Sequence, residues 1–218
     1  MAKVSIGGFV FGGLRAELLC TFWLDSNYYD LFDDFESYDL GAFVTNTKWT
    51  ISLTTESGAA GYANIIAATI NVSGQELEIS SKGEATGGPY EGTATATTKT
   101  LASNKHTFVK YKYITSATGV ADNSASSRIS VGNGTQGFTE VVSSIISGAS
   151  GDQKTGNGII FIEAVGGNEY NVYVGYTVTN LALADGCQLR FYSQRDCDTD
   201  DLGYVYVDDL RQSKVTIT

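Results

Sequence analysis

The sequence predicts an all-β protein, an antiparallel two-sheet sandwich of jelly-roll type with an N-terminal extension. The chain of 218 residues contains 13 Tyr and 10 Phe, and aromatic and β-branched side chains pack well on a pleated surface. Its 25 Gly supply residues for turns. The single proline, Pro89, leaves few interruptions to sheet hydrogen bonding, because proline lacks the N–H that a ladder needs.

Strand-like segments follow one another at short intervals, with turn residues between them. The segment 49–54 alternates the apolar Trp49, Ile51 and Leu53 with hydroxylated residues, which predicts a strand with one buried face. Intervals of about 8 to 15 residues are typical of sandwiches and jelly rolls. The other predicted strands are 62–72, 76–80, 92–98, 106–114, 127–131, 138–146, 158–165, 169–180, 188–192 and 203–210.

Residues 30–218 are predicted to form one sandwich domain, preceded by residues 1–29 as an arm or an extra strand. Two apolar stretches, 4–11 and 14–24, dominate this N-terminal segment. Either they add a core strand, or they form an arm that docks on a neighbouring subunit of an oligomer. We favour the arm, because free termini are usually ordered only when something holds them. The residues expected at that assembly interface are Phe9, Phe11, Leu18 and Phe22.

The formal net charge of −10 argues against a nucleic-acid partner, because binding phosphates requires clustered Lys and Arg. The acidity either keeps the chain soluble or holds a cation. Residues 1–24 depart from a secretory-signal pattern, since two glycine pairs, Arg15 and Glu17 interrupt the apolar run. No stretch is long and apolar enough to cross a bilayer, so we expect no membrane insertion.

Three cysteines cannot all pair within one chain. Cys187 and Cys197 flank a predicted hairpin end and are candidates for a disulfide, whereas Cys20 stands alone. We favour three reduced thiols, as expected of a protein assembled inside a cell.

Two segments carry a family resemblance. The first is Phe-Asp-Asp-Phe-Glu-Ser-Tyr at 32–38, followed by Gly41 and Trp49, and the second is Gly-Tyr-Val-Tyr-Val-Asp-Asp-Leu at 203–210. Together they resemble the opening and closing strands of concanavalin A-like jelly rolls, a group that includes laminin-G-like modules and many carbohydrate-binding modules. The resemblance implies that the first and last strands lie side by side and that carboxylates from both share a structural calcium ion.

The carboxylates that match this implied calcium site are Asp34, Glu36, Asp208 and Asp209. Calcium takes six to eight oxygen ligands, and strand alternation allows only one of Asp208 and Asp209 to face the ion. The alternative is a solvated strand end whose carboxylates discourage edge aggregation.

Sugar binding on such folds uses aromatic rings, whose faces pack on pyranose C–H groups, together with polar side chains that bind hydroxyls. The candidate carbohydrate-binding residues are Trp49, Tyr62, Tyr90 and Tyr192. The alternative for each ring is packing in the core or on the sheet, and Trp49 is the one most expected to fill the core.

Catalysis is not predicted. A glycoside hydrolase needs a positioned pair of carboxylates, and Glu76 and Glu78 alternate correctly for one. These two residues also fit the solvated face of a strand whose Leu77 and Ile79 are buried. His106 has no nucleophile motif around it, and we expect it to be exposed.

Composition and layout resemble the virion proteins of tailed bacteriophages, such as head decoration or fibre-associated subunits. This resemblance implies a non-enzymatic structural or adhesion protein, made in the host cytoplasm and placed on the virion surface. The alternative is an extracellular carbohydrate-binding module for a cell-surface or polymeric glycan. A glycoside hydrolase is the second alternative.

Overall fold

The structure is a computed structural model that describes residues 29–56, 59–70, 74–83, 91–117, 124–147, 152–196, 203–214 and 216–217. All regular elements within these residues are strands, and none of the residues forms a helix with the length and hydropathy that a membrane crossing requires. The strands are β1 (Tyr29–Asp33), β2 (Gly41–Ala42), β3 (Trp49–Glu56), β4 (Ala59–Ala67), β5 (Gln75–Lys82), β6 (Glu91–Thr98), β7 (Thr107–Ala117), β8 (Ser124–Asn133), β9 (Gly137–Ser147), β10 (Asp152–Gly166), β11 (Glu169–Val174), β12 (Thr177–Ala182), β13 (Gln188–Asp196) and β14 (Gly203–Ser213).

The strands form two antiparallel sheets that pack as a jelly-roll sandwich, as the sequence predicts. Sheet A has the order β12-β11-β10-β7-β14-β5-β4, with β1 beside β14 and β2 beside β4. Sheet B has the order β3-β6-β13-β8-β9. The end of β3 also pairs with the start of β4, so β3 connects the two sheets at one corner.

The first and last described strands are neighbours. In sheet A, β1 pairs with the C-terminal half of β14, with Asp33 opposite Leu210. The N-terminal half of β14 pairs with β5 on the same side and with β7 on the other. This adjacency, which the family resemblance implies, is confirmed.

Alternation along the strands sends apolar side chains into the space between the sheets. Leu77 and Ile79 of β5 are fully buried there, and Ile129 and Phe191 of sheet B are fully buried opposite them. The thiol of Cys187 is free and also fully buried, and burial raises its pKa to about 12. Cys20 and Cys197 lie outside the described residues. Outside this core, the sandwich presents the outer faces of sheets A and B.

Two segments differ from the strand predictions. The run 169–180 is a hairpin of β11 and β12, because the chain turns at Gly175 and Tyr176 and Gly175 has a φ of +55°. The stretch 147–158, whose composition is typical of a loop, contains the first half of β10, which pairs with β7 along its whole length from Asp152.

A buried carboxylate joins the two sheets near the start of the sandwich. Asp33, only 1% exposed, accepts a hydrogen bond of 2.8 Å from the indole Nε1 of Trp49 and one of 2.9 Å from the hydroxyl of Tyr38. It also accepts a bond from the backbone N–H of Phe35, whose φ of 63° is a costly conformation for a bulky residue. Burial, followed by the hydrogen bond to Asp33, raises the pKa of Tyr38.

Aromatic rings surround this carboxylate and fill one end of the core. Trp49 is fully buried and lies 5.6 Å from Phe35 and 6.0 Å from Phe191, measured between ring centroids. Phe32 and Phe43 complete the ring cluster at 6.4 Å from Trp49. Trp49 therefore presents no ring to a sugar, and its prediction as a carbohydrate-binding residue is corrected: its indole is a core residue that satisfies its N–H internally.

Removal of the Asp33 carboxylate is expected to destabilise the fold strongly. Asp33→Ala leaves the Trp49 N–H buried without an acceptor and removes the partners of Tyr38 and Phe35, for a loss of about 3 kcal/mol in the free energy of unfolding. Trp49→Phe deletes the donor, so Asp33→Ala should cost about 1 kcal/mol less in that background. Urea unfolding of the four proteins in this cycle measures the coupling. Additive losses would show that the Asp33–Trp49 bond contributes nothing of its own.

Candidate functional site

The four carboxylates of the predicted calcium site have protein partners. Asp34 accepts a hydrogen bond from the backbone N–H of Glu36, and Glu36 accepts one of 2.7 Å from the N–H of Gln75. Asp209 forms ion pairs with Lys110 and Arg211. These hydrogen bonds and ion pairs engage carboxylate oxygens that a calcium ion would need as ligands.

The two aspartates of β14 lie at a bulge. The register between β14 and β7 shifts between Asp208 and Arg211, and Asp209 has a φ of 50°. Burial and then the neighbouring charge of Asp209 raise the pKa of Asp208 to about 6. Burial also acts to raise the pKa of Asp209, but hydrogen bonds and charges from Lys110 and Arg211 bring it below its usual value.

Within the described residues, no three Asp, Glu, His or Cys side chains come together as a metal site requires. The calcium site therefore stays a prediction that this geometry does not support. The cations that Asp209 meets are the side chains of Lys110 and Arg211.

The carboxylates considered for glycoside hydrolysis lie on the outer face of sheet A. Glu76 is fully buried and accepts hydrogen bonds from the hydroxyl of Thr69 and the N–H of Ile70. Glu78 is half-buried, and burial raises its pKa. Glu76 therefore holds the segment after β4 in place. The expectation that Glu76 lies on a solvated strand face is wrong, because its side chain is fully buried and hydrogen-bonded.

His106 is half-buried rather than exposed. Its Nδ1 accepts a hydrogen bond of 3.0 Å from the backbone N–H of Ala164. Burial lowers its pKa, although the charge of Glu163 acts in the opposite direction.

The outer face of sheet A also carries tyrosines. Tyr62, 43% exposed, lies in register with Ser80, and Ser80 with Tyr204. Tyr204 stacks on Tyr206 with ring centroids 5.7 Å apart, and Tyr206 is nearly buried. Of the predicted sugar-contacting rings, Tyr62 is the one on this face.

The outer face of sheet B is polar. Its strands β3 and β6 present only hydroxyl side chains in the registered rows Thr50–Thr97, Ser52–Thr95 and Thr54–Thr93. The neighbouring strand β13 adds Arg190 in register with Thr97, and Tyr192 in register with Thr95. Alternation along β13 explains the outward position of Arg190 and Tyr192, because Leu189 and Phe191 point into the core.

An open depression of about 190 Å³ lies at the centre of this face. It is termed the Tyr192 depression and is lined by Thr95, Arg128, Ser130, Glu140, Arg190 and Tyr192. Ser130 is in register with Arg190 on one side and Glu140 on the other. Its small, buried side chain forms the floor between two longer ones.

Charged groups border the Tyr192 depression. Arg128 Nη1 donates to Glu140 at 2.9 Å, and the Arg128 guanidinium lies 5.7 Å from the centroid of the Tyr192 ring. The Arg190 guanidinium lies over the ring of Phe138, 4.2 Å from its centroid. Burial and then the charge of Glu91 raise the pKa of Tyr192, whereas Arg128 and Arg190 lower it. An aromatic ring, hydroxyls and charged donors thus converge at one open site.

The predicted carbohydrate-binding residues do not form one site. Tyr192 lines the depression on sheet B, whereas Tyr62 lies on the opposite side of the sandwich and Trp49 lies in the core. Tyr90 lies outside the described residues. The predicted assembly residues Phe9, Phe11, Leu18 and Phe22 also lie outside them.

Five of the six residues that line the depression were not predicted from the sequence. Alternation along β13 could have predicted Arg190, because residues 190 and 192 are two positions apart and point to the same outer face. Arg128 and Glu140 belong to a different hairpin, and their place beside Tyr192 depends on which strands pair. The buried position of Asp33 was also not predicted, and its neighbour Asp34 was the candidate ligand instead.

No protein-family model matches the chain, and no curated protein matches it significantly. Solved structures do show similarity. A non-crystalline cellulose-specific carbohydrate-binding module, CBM28, has 14% identity and a TM-score of 0.37, covering 79% of this chain and 91% of its own. The CBM22-1 xylan-binding domain from Paenibacillus barcinonensis Xyn10C has 12% identity and a TM-score of 0.34, covering 87% and 97%.

An arabinose-bound α-L-arabinofuranosidase has 9% identity and a TM-score of 0.37 over 85% of this chain. The match spans only 26% of that enzyme's length. Similarity at this level does not assign a ligand or an activity to this chain.

The stability of the fold is expected to fall as pH rises through the titration of Asp208. Its pKa of about 6 in the folded chain exceeds the 3.8 of an ordinary Asp, so its contribution is complete below about pH 4 and lost as pH rises through 6. This difference corresponds to roughly 3 kcal/mol. Asp208→Asn keeps the Oδ1 acceptor for the Asp209 N–H and should raise the unfolding free energy at pH 7.5 but not at pH 4.

Urea unfolding at the two pH values measures this effect. Asp185→Asn is the matched control, because Asp185 is exposed and the substitution removes the same charge. Equal gains for both variants at pH 7.5 would attribute the effect to net charge and not to the burial of Asp208.

Proposed function

We propose that the chain is a non-catalytic carbohydrate-binding domain whose ligand lies in the Tyr192 depression. The observation that carries the proposal is the convergence of one aromatic ring, two arginines, a glutamate and two hydroxyl side chains at an open site of the sheet B outer face. Binding sites for sugars combine an apolar ring face with a few placed polar groups. The hydroxyl rows of β3 and β6 extend this polar surface beyond the depression.

Two observations support the absence of catalysis. Glu140 is the one carboxylate among the residues that line the depression, and it is paired with Arg128, whereas a glycosidase needs two positioned carboxylates. On the other face, Glu76 is fully buried and engaged by Thr69 and Ile70. Among the described residues, the depression therefore offers a substrate no acid and base together.

We also keep three narrower predictions: the chain is a virion surface protein, it assembles through its N-terminal arm, and it forms an oligomer. The arm comprises residues 1–29, nearly all of which lie outside the described residues. A glycan-binding domain is compatible with a virion adhesion role and with an extracellular role.

Tyr192→Ala is expected to weaken binding to the tightest-bound member of a polysaccharide panel by about five- to tenfold, since a ring contact is worth about 1 to 1.5 kcal/mol. Affinity electrophoresis of the full chain measures the dissociation constants. Tyr62→Ala is the matched control, because Tyr62 is an exposed tyrosine on sheet A. The Tyr62→Ala variant should bind the same polysaccharide as tightly as the unmodified chain does. The reverse result would move the site to sheet A, and absence of binding to every polysaccharide would reject the function.

A further inference from the structure

We propose that the glycan is acidic and that Arg190 binds its carboxylate or sulfate group; this inference rests on the proposed function of the Tyr192 depression. The first step is the state of Arg190. Its guanidinium lies 4.2 Å from the centroid of the Phe138 ring and forms no ion pair with any carboxylate of the described residues. The chain has 24 acidic residues against 14 basic ones, so an arginine that no described carboxylate engages is a candidate for an external anion.

The contact with Phe138 prepares Arg190 for an anion. The ring is not a hydrogen-bond acceptor of the carboxylate kind, so the planar fork of N–H donors stays available for the two oxygens of a carboxylate or sulfate. The ring contact also restricts the side chain before the ligand arrives, so less conformational entropy is lost on binding. Arg190 is therefore a preorganised donor at the rim of the depression.

Arg128 on the neighbouring strand strengthens this arrangement. It donates through Nη1 to Glu140, and its Nε is buried without a hydrogen-bond partner among the described residues. The depression is thus lined by two arginines and one glutamate. Arg190 is in register with Ser130, and Tyr192 with Arg128, so the two arginines occupy diagonal positions on adjacent strands. An anionic group between them faces both guanidinium groups, while the Glu140 carboxylate is already paired with Arg128.

The charge balance limits which anion is recognised. The net charge of −10 argues against nucleic acids, whose binding needs many basic contacts to phosphates. A sugar unit with one carboxylate or sulfate needs only one arginine and leaves its ring free for Tyr192. The depression thus fits a saccharide in which an anionic substituent and an apolar ring face occur in the same unit.

Matched pairs of polymers test the inference on the full chain by affinity electrophoresis. Polygalacturonate and its methyl ester differ in the carboxylate, and dextran sulfate and dextran differ in the sulfate. We expect the charged member of at least one pair to bind about tenfold tighter or more, and Arg190→Gln to bring the dissociation constants of that pair to within about twofold of each other. Which pair shows the preference identifies the anion.

Two further variants separate recognition from general charge. Arg190→Lys keeps the charge without the planar fork and should retain only part of the preference. Lys82→Gln removes the same charge from an exposed position on sheet A and should leave the preference intact. Equal loss in Lys82→Gln and Arg190→Gln would overturn the inference, because it would show a net-charge effect.

The remaining outcomes distinguish this inference from the proposed function. Equal binding of charged and neutral polymers by the unmodified chain would overturn the inference and leave the glycan-binding function standing. Loss of both charged and neutral binding in Arg190→Gln, with an unchanged melting temperature, would make Arg190 a general ligand contact and also overturn it. Absence of binding to all four polymers, and to a wider neutral panel, would reject the proposed function itself.

Discussion

The hydrogen bond between Asp33 and Trp49 joins the two sheets at the end of the core where the aromatic rings cluster. Asp33 ends β1, which pairs in sheet A, and Trp49 begins β3, which pairs in sheet B. A fully buried indole N–H requires an acceptor, and the carboxylate supplies it while also binding Tyr38 and Phe35. The aromatic cluster around Trp49 then reaches Phe191 of β13.

Phe191 connects this internal cluster to the external site. Because side chains alternate along β13, fixing Phe191 in the core fixes its neighbours Arg190 and Tyr192 on the outer face. The neighbouring strands place Thr95 and Arg128 beside Tyr192 in register. The geometry of the depression is thus a consequence of sheet register, and it is built on strands of the scaffold, where side chains are held more rigidly than on loops.

Local patterns in the sequence predicted features that depend on strand alternation. Alternation predicted the burial of Leu77 and Ile79, which are both fully buried. Features that depend on distant pairing were missed. The bulge between Leu31 and Asp33 decides that Asp33 and not Asp34 is buried, and Arg128 meets Tyr192 only because β8 pairs with β13. The residues of β10 from Asp152 have loop-like composition, yet β7 supplies partners for their backbone.

Chemical-shift mapping by NMR tests most directly whether sheet B carries the binding site. Amide spectra of the labelled full chain are compared before and after addition of an oligosaccharide from the tightest-bound polymer. We expect the perturbed amides to cluster on β6, β13, β8 and β9 around Tyr192 and Arg190. Perturbations centred on β4, β5 and β14 around Tyr62 and Tyr204, or a spectrum that no saccharide changes, would contradict it.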